Sequence, residues 1–145
     1  MASRTPARPR SPHLFSGFLK LHYSWGPHML VSILHRATGV ANAIGGGILF
    51  VWWLLALSGG EGSYARFVDL MTSDETGRLN LLPGLVLFGL TWTLFQHACS
   101  GIRHLLLDTG AGYELKVNKM GAIATMVVST ALTVLVWGAI LMRGH

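Results

Sequence analysis

Three stretches of this chain contain no Asp, Glu, Lys or Arg: those between Arg36 and Glu61, between Arg78 and Arg103, and between Lys119 and Arg143. Each is longer than the roughly 20 residues a helix needs to cross a bilayer. Lipid offers no partner for backbone N–H and C=O groups, so each crossing has to satisfy its own, and a helix does so. The expected fold is therefore all-α: an integral membrane bundle of three transmembrane helices near Met29–Leu57, Leu81–Leu107 and Met120–Met142. Composition agrees. Charged residues are only 12% of the 145, hydrophobic ones are 51%, and the mean hydropathy is +0.49, too few charges for a water-facing surface.

The flanks set an expected orientation. Arg4, Arg8, Arg10 and Lys20 precede the first span, and Lys116 and Lys119 lie in the second connection with Arg103 just inside the helix end. The first connection is net acidic, with Glu61, Asp69, Asp74 and Glu75 against Arg66 and Arg78. The positive-inside rule then puts the N-terminus and the second connection inside and the C-terminus outside. Tyr23, Trp25 and Tyr113 fall at the inner interface on this plan, and Trp52, Trp53 and Trp137 toward the outer one. The net charge of +5 is explained by these flanks, so nucleic acid is not an expected partner. Residues 1–28 read as an inner-side segment, Pro- and Arg-rich to Pro12 and then interfacial. Residues 29–145 read as the three-helix anchor domain. No secretory signal is expected, because no apolar stretch precedes Met29. The single cysteine, Cys99, excludes an internal disulfide or a cysteine metal cluster and reads as a small buried packing residue.

Against that apolar background a few polar residues stand out. "SILHRATG" puts Ser32, His35, Arg36 and Gly39 at i, i+3, i+4 and i+7, one face of the first helix. "QHACSGIRHLLLD" puts His97, Gly101, His104 and Asp108 within roughly 60° on the second, with Arg103 pointing away. His97 lies about 10.5 Å deeper than His104 along the axis. Two histidines on one face of one helix cannot take opposite sides of the same metal or haem, so a second ligand to anything His97 binds must come from another helix. An ionisable group at that depth usually faces a protein interior. Plainer readings stand beside these. Arg36 and Arg103 can snorkel to headgroups, Ser32 can bond its own backbone, Asp108 can be a simple helix-end acid, and His97 can be an interhelical hydrogen bond. Gly39, Gly45, Gly46 and Gly47 suit close approach of a neighbouring helix more than clearance for a cofactor. Grouped on the inner side, cation, imidazole and hydroxyl suit an anionic or redox ligand.

"RPRSPHL" (Arg8–Leu14), "SILHRATG" and "HACSGIRHLLLDTG" (His97–Gly110) together resemble the cytochrome b subunit of succinate dehydrogenase, the large membrane anchor of respiratory complex II. The blocks stand in that family's order and spacing, and the resemblance runs from Arg8 to about Met142. It implies that His97 is one axial ligand of haem b iron, with the other supplied by a second membrane anchor subunit. It implies that Ser32 and Arg36 line the ubiquinone site, and that His35 and His104, with Arg36, lie by the haem propionates. Asp108 matches the family's acid after the Arg-His pair and is a candidate proton relay. Flavin and iron–sulfur clusters would belong to a flavoprotein subunit and an iron–sulfur subunit docked on the inner side. The expected location is the bacterial inner membrane, ahead of the mitochondrial one. A competing class is a small transporter or proton channel that uses the His97–His104–Asp108 stripe as a relay. A haemless anchor that keeps only the quinone site and a purely structural assembly anchor are two further alternatives.

Overall fold

The computed structural model describes residues 26–73 and 78–143, and the backbone alone of 15–17, 20–21 and 143. The "RPRSPHL" block and the inner-surface expectation for residues 13–25 lie outside the described residues, apart from two short strands. These are β1 (Phe15–Gly17) and β2 (Lys20–Leu21), paired antiparallel with Phe15 opposite Leu21. Among the described residues the remaining regular elements are helices, with one isolated antiparallel bridge between Thr72 and Leu79.

The first span starts where Gly26 is extended and Pro27 opens helix α1 (Pro27–Ala41). Proline suits that position, because its missing N–H would have had no partner in the first turn. The span continues through one π turn (Asn42–Gly46) into α2 (Gly47–Ser58), so 32 residues run without a break. Gly60, with φ 81°, then turns the chain into α3 (Glu61–Met71). Only glycine adopts that backbone at little cost. Helix α3 was not foreseen in the first connection. It is amphipathic and folds back on α2, where Phe67 meets Trp52 edge-on at 5.0 Å between centroids. Asn80 joins it to the second span by donating from Nδ2 to the carbonyls of Leu70 and Thr72, both at 3.2 Å.

The second and third spans are α4 (Leu81–Asp108) and α5 (Leu115–Arg143). The third begins several residues before the expected Met120, so Lys116 and Lys119 sit on its first turns and not in a loop. The short connection takes Gly110 and Gly112 to φ 86° and 78°, which lets the two helices reverse tightly and pack side by side. At 1.5 Å per residue the spans reach about 42 to 48 Å, beyond the roughly 30 Å of a hydrocarbon core.

The burial pattern is that of a membrane bundle. Leu55, Leu85 and Leu135 are each 60% or more exposed. Among the described residues the fully buried apolar side chains are only Val31, Ala56 and Ala122, whereas Thr38, Gln96, Ser100, Thr125, Ser129 and Thr133 are buried and polar. Lipid is as apolar as leucine, so large apolar groups gain nothing by turning inward. Small and hydrogen-bonding residues take the helix contacts instead.

Candidate functional site

The histidines of the two quoted blocks meet between α1 and α4. His35 stacks on His97 with centroids 4.1 Å apart and planes 8° from parallel, and His104 tilts against His35 at 5.2 Å. One helical turn of each element explains the meeting. His35 looks out of α1 just before Gly39, and a Cβ on Gly39 would come within 2.9 Å of His97 Cε1. Gly39 therefore serves close packing, as expected, and the neighbour it admits is the His97 ring itself. Gly101 does the same on α4, where a Cβ would touch His35 Cε1 at 3.6 Å. Gly45 faces Leu90, while Gly46 and Gly47 have open space.

Hydrogen bonds fix how the rings sit. His97 Nδ1 lies 3.0 Å from the carbonyl of His35, with the Thr38 hydroxyl at 3.5 Å. A carbonyl only accepts, so Nδ1 carries the proton, and Nε2 of His97 holds the lone pair. His35 Nδ1 lies 2.8 Å from Ser100 Oγ. Residue 35 thus grips α4 twice, through its backbone to His97 and through its ring to Ser100. Neither Nε2 makes a hydrogen bond among the described residues.

The other foreseen residues fall around this core. Ser32 is half-buried and Arg36 exposed, one turn apart on α1. Neither makes a hydrogen bond among the described residues, so Ser32 does not take the back-bond that Thr38, Thr91 and Thr130 take. Asp108 is exposed at the end of α4. It is not joined to His104 by a hydrogen bond among the described residues. Arg103 departs from simple snorkelling, because its Nη2 donates to Asn118 Oδ1 and its stem lies on Gly121, tying α4 to α5. Cys99 is half-buried and not fully packed away. An apolar cavity of about 600 Å³ lined by Leu81, Leu85, Phe88, Trp137 and Leu141 lies at the opposite end of α4 and contains no member of the cluster.

Several polar partners were not singled out from the sequence. Ser129 Oγ donates to Gln96 Oε1 at 2.6 Å, and Thr93 Oγ1 donates to Asn42 Oδ1 at 2.7 Å at the start of the π turn. Trp92 and Trp137 each donate an indole N–H to a threonine across the α4–α5 contact, Thr130 at 3.3 Å and Thr91 at 3.2 Å. The signal was present: Thr125, Ser129 and Thr133 recur every four residues, and Ser100 stands three after His97.

A donor set with one ring nitrogen tied to a backbone carbonyl and the other open is the arrangement of a metal-ligating histidine, since the carbonyl fixes tautomer and orientation. Among the described residues no group of three His, Cys, Asp or Glu side chains could hold a bare metal ion. The stacking further limits what the histidines can share. Rings 4.1 Å apart and parallel leave no room for a macrocycle between them, so His35 and His97 as placed do not face each other across one haem.

A three-span helical bundle with this histidine cluster is the architecture of a membrane-anchor cytochrome. Comparison with known proteins agrees. A sequence model of the succinate dehydrogenase/fumarate reductase transmembrane subunit matches residues 4–136. The succinate dehydrogenase cytochrome b556 subunit of Rickettsia felis is 35% identical over 130 residues, covering 90% of each chain. That of Paracoccus denitrificans is 34% identical over 133 residues, covering 90% of this chain and 92% of its own. The mitochondrial cytochrome b560 subunit of Mus musculus is 35% identical over 122 residues, 84% of this chain and 65% of its own. The chain belongs to the succinate dehydrogenase/fumarate reductase transmembrane subunit family, as a membrane-anchor subunit of an enzyme complex.

Proposed function

We propose that this chain holds one side of haem b through His97 and lines a ubiquinone-reduction site with Ser32 and Arg36. The observation that carries the reading is the His97 ring, with Nδ1 held by the His35 carbonyl and Nε2 left for a ligand bond. His35 stacks on His97 and His104 tilts against His35, so neither would serve as its partner across the iron, and a second ligand would come from another anchor subunit. His35, His104 and Arg36 are the groups of this chain that would take the propionates. One-electron redox capacity beside the quinone is what haem b supplies when bound, tuned by its axial ligands and burial.

The chain's own residues do the rest. Ser32 and Arg36 are four residues apart on one face, so one quinone can meet both. Ser32 donates a hydrogen bond to a quinone carbonyl and orients it. The guanidinium of Arg36 is preplaced where reduction puts negative charge on a quinone oxygen, in a site where low dielectric strengthens the interaction. Electrons arrive from an iron–sulfur subunit on the inner side, fed by a flavoprotein subunit. That requires the N-terminus and the α4–α5 connection inside and the C-terminus outside, as the basic flanks indicate. The membrane is the bacterial inner membrane. Asp108, exposed one turn beyond His104, is placed to pass protons from the inner aqueous phase.

The test is to purify the native complex and record its subunits, its reduced-minus-oxidised spectrum and its quinone reductase activity. Flavin and iron–sulfur subunits should copurify with a low-spin haem that His97→Ala alters. Unchanged visible and EPR spectra in that variant would remove His97 from the ligand set. A reporter fused to the C-terminus should be active only outside; activity inside would reverse the topology.

A further inference from the structure

Ser100 is fully buried beside the histidine cluster, and the function proposed above gives it no task. Its hydroxyl has one hydrogen and two lone pairs. The closest acceptor is the carbonyl of Gln96, one turn back on α4, at 2.6 Å; the carbonyl of His97 follows at 3.1 Å. Such a back-bond commits the hydrogen to its own helix. What Ser100 can offer His35, 2.8 Å away, is then a lone pair. The His35 nitrogen facing it must be the donor. This assigns the neutral ring to its Nδ1–H tautomer, with the Nε2 lone pair on the opposite edge.

The second observation is on α1. His35 is attached to α4 by this bond and by its stacking on His97, while Thr38, one turn further, is turned to the Leu34 and His35 carbonyls. His104 also tilts against the His35 ring at 5.2 Å between centroids, but ring contacts of this kind tolerate a flip, and the polar contact with Ser100 at Nδ1 bears on which edge carries Nε2. An imidazole without such a partner flips between two orientations that exchange nitrogen and carbon positions, whereas one held at Nδ1 keeps Nε2 on the opposite edge.

We propose that Ser100 is a positioning residue: it fixes the orientation of His35 so that Nε2 is the atom presented to the haem-propionate side of the site. The inference rests on the haem reading above. Ser100 touches no cofactor itself and acts only through His35. Without it the ring turns, water gains access to the propionate side, and a wetter surrounding favours the more highly charged oxidised haem.

The experiment is a double-mutant cycle on the intact purified complex, read by redox titration of the haem. Ser100→Ala should shift the oxidised-to-reduced ratio at fixed potential toward oxidised by about fivefold, the factor one neutral hydrogen bond is worth. His35→Phe keeps a ring against His97 but removes Nδ1. In that background Ser100→Ala should add nothing. An unshifted Ser100→Ala complex overturns the proposal, and so does a shift that persists unchanged in the His35→Phe background, which would make Ser100 a packing residue of α4. Where the alanine variant fails to assemble, Ser100→Cys, near in volume and a much weaker acceptor, gives the same two comparisons. Failure of the haem reading looks different: His97→Ala would then keep the parent spectrum whatever Ser100 does.

Discussion

Two helix contacts in this molecule are built from polar residues inside an apolar bundle, and they differ in what they leave open. Between α4 and α5 the partners consume one another. Ser129 donates to Gln96 across the contact, Thr133 bonds back within α5 to the Ser129 carbonyl, and two indoles cap two threonines. Gln96, Ser129 and Thr133 are wholly shielded, and the open donor in that contact is the Gln96 amide nitrogen. Between α1 and α4 the contact ends in the half-exposed imidazoles of His35 and His97, each with Nδ1 engaged and Nε2 without a hydrogen bond among the described residues. In lipid an unpaired polar group is costly. A contact whose polar groups are shut inside the bundle is structural, and one whose free nitrogens reach a half-exposed edge is shaped for something that arrives from outside the chain.

The sharpest way to break this contrast is to remove the ligand candidate. His97→Ala should abolish the low-spin haem spectrum of the purified complex while the subunits still copurify. Next comes the inner face of α1. Arg36→Lys and Ser32→Ala should each lower quinone reduction about tenfold, near 1.4 kcal/mol of transition-state stabilisation, while dye reduction upstream of the quinone persists. An ammonium cannot reproduce the planar fork of a guanidinium, so near-normal turnover in Arg36→Lys would mean that Arg36 only snorkels.

The α4–α5 contact should respond in the opposite way. Ser129→Ala leaves the buried Gln96 amide with no partner and should cost about 1 kcal/mol, in the range found for membrane hydrogen bonds. The thermal midpoint of the complex should fall with the haem spectrum unchanged; a spectral change would blur the distinction between the two contacts. A finer probe compares two glycines. Gly39→Ala drives a methyl to 2.9 Å from His97 and should perturb the haem spectrum, whereas Gly46→Ala, with nothing within 4 Å, should not. The smallest effect is expected for Arg103→Lys, whose partner Asn118 lies on the structural side.

How much of this was legible in the sequence follows the same division. The three spans could be read because charge is so expensive in lipid that its absence over a bilayer's length has few other causes. The cluster could be read because His35, His97 and His104 are rare residues on helical faces whose spacing is fixed. The α4–α5 contact was harder. Serine and threonine are ordinary in membrane helices and often bond only their own backbone, so their periodicity on α5 did not identify Gln96 as the partner. Helix α3 was missed because its short amphipathic run looks like a polar loop until it has α2 to lie against. The pairing of Ser100 with His35 needs the rotation of two helices about their axes, which spacing along either one does not fix.

The π turn at Asn42–Gly46 bears on how such anchors can be recombined. A turn of this kind holds one residue more than an α-helical turn, so all that follows is set back by about 100° and about 1.5 Å relative to an unbroken α-helix of the same residues. The inner and outer halves of the first span are therefore out of phase. A chimaera joined after Leu49, with the π turn retained, keeps both the histidine face of α1 and the hold of Asn80 on the end of α3, which lies docked on α2. One joined at Ala41 to a regular helix keeps the first and loses the second, although every residue beyond the junction could be the same.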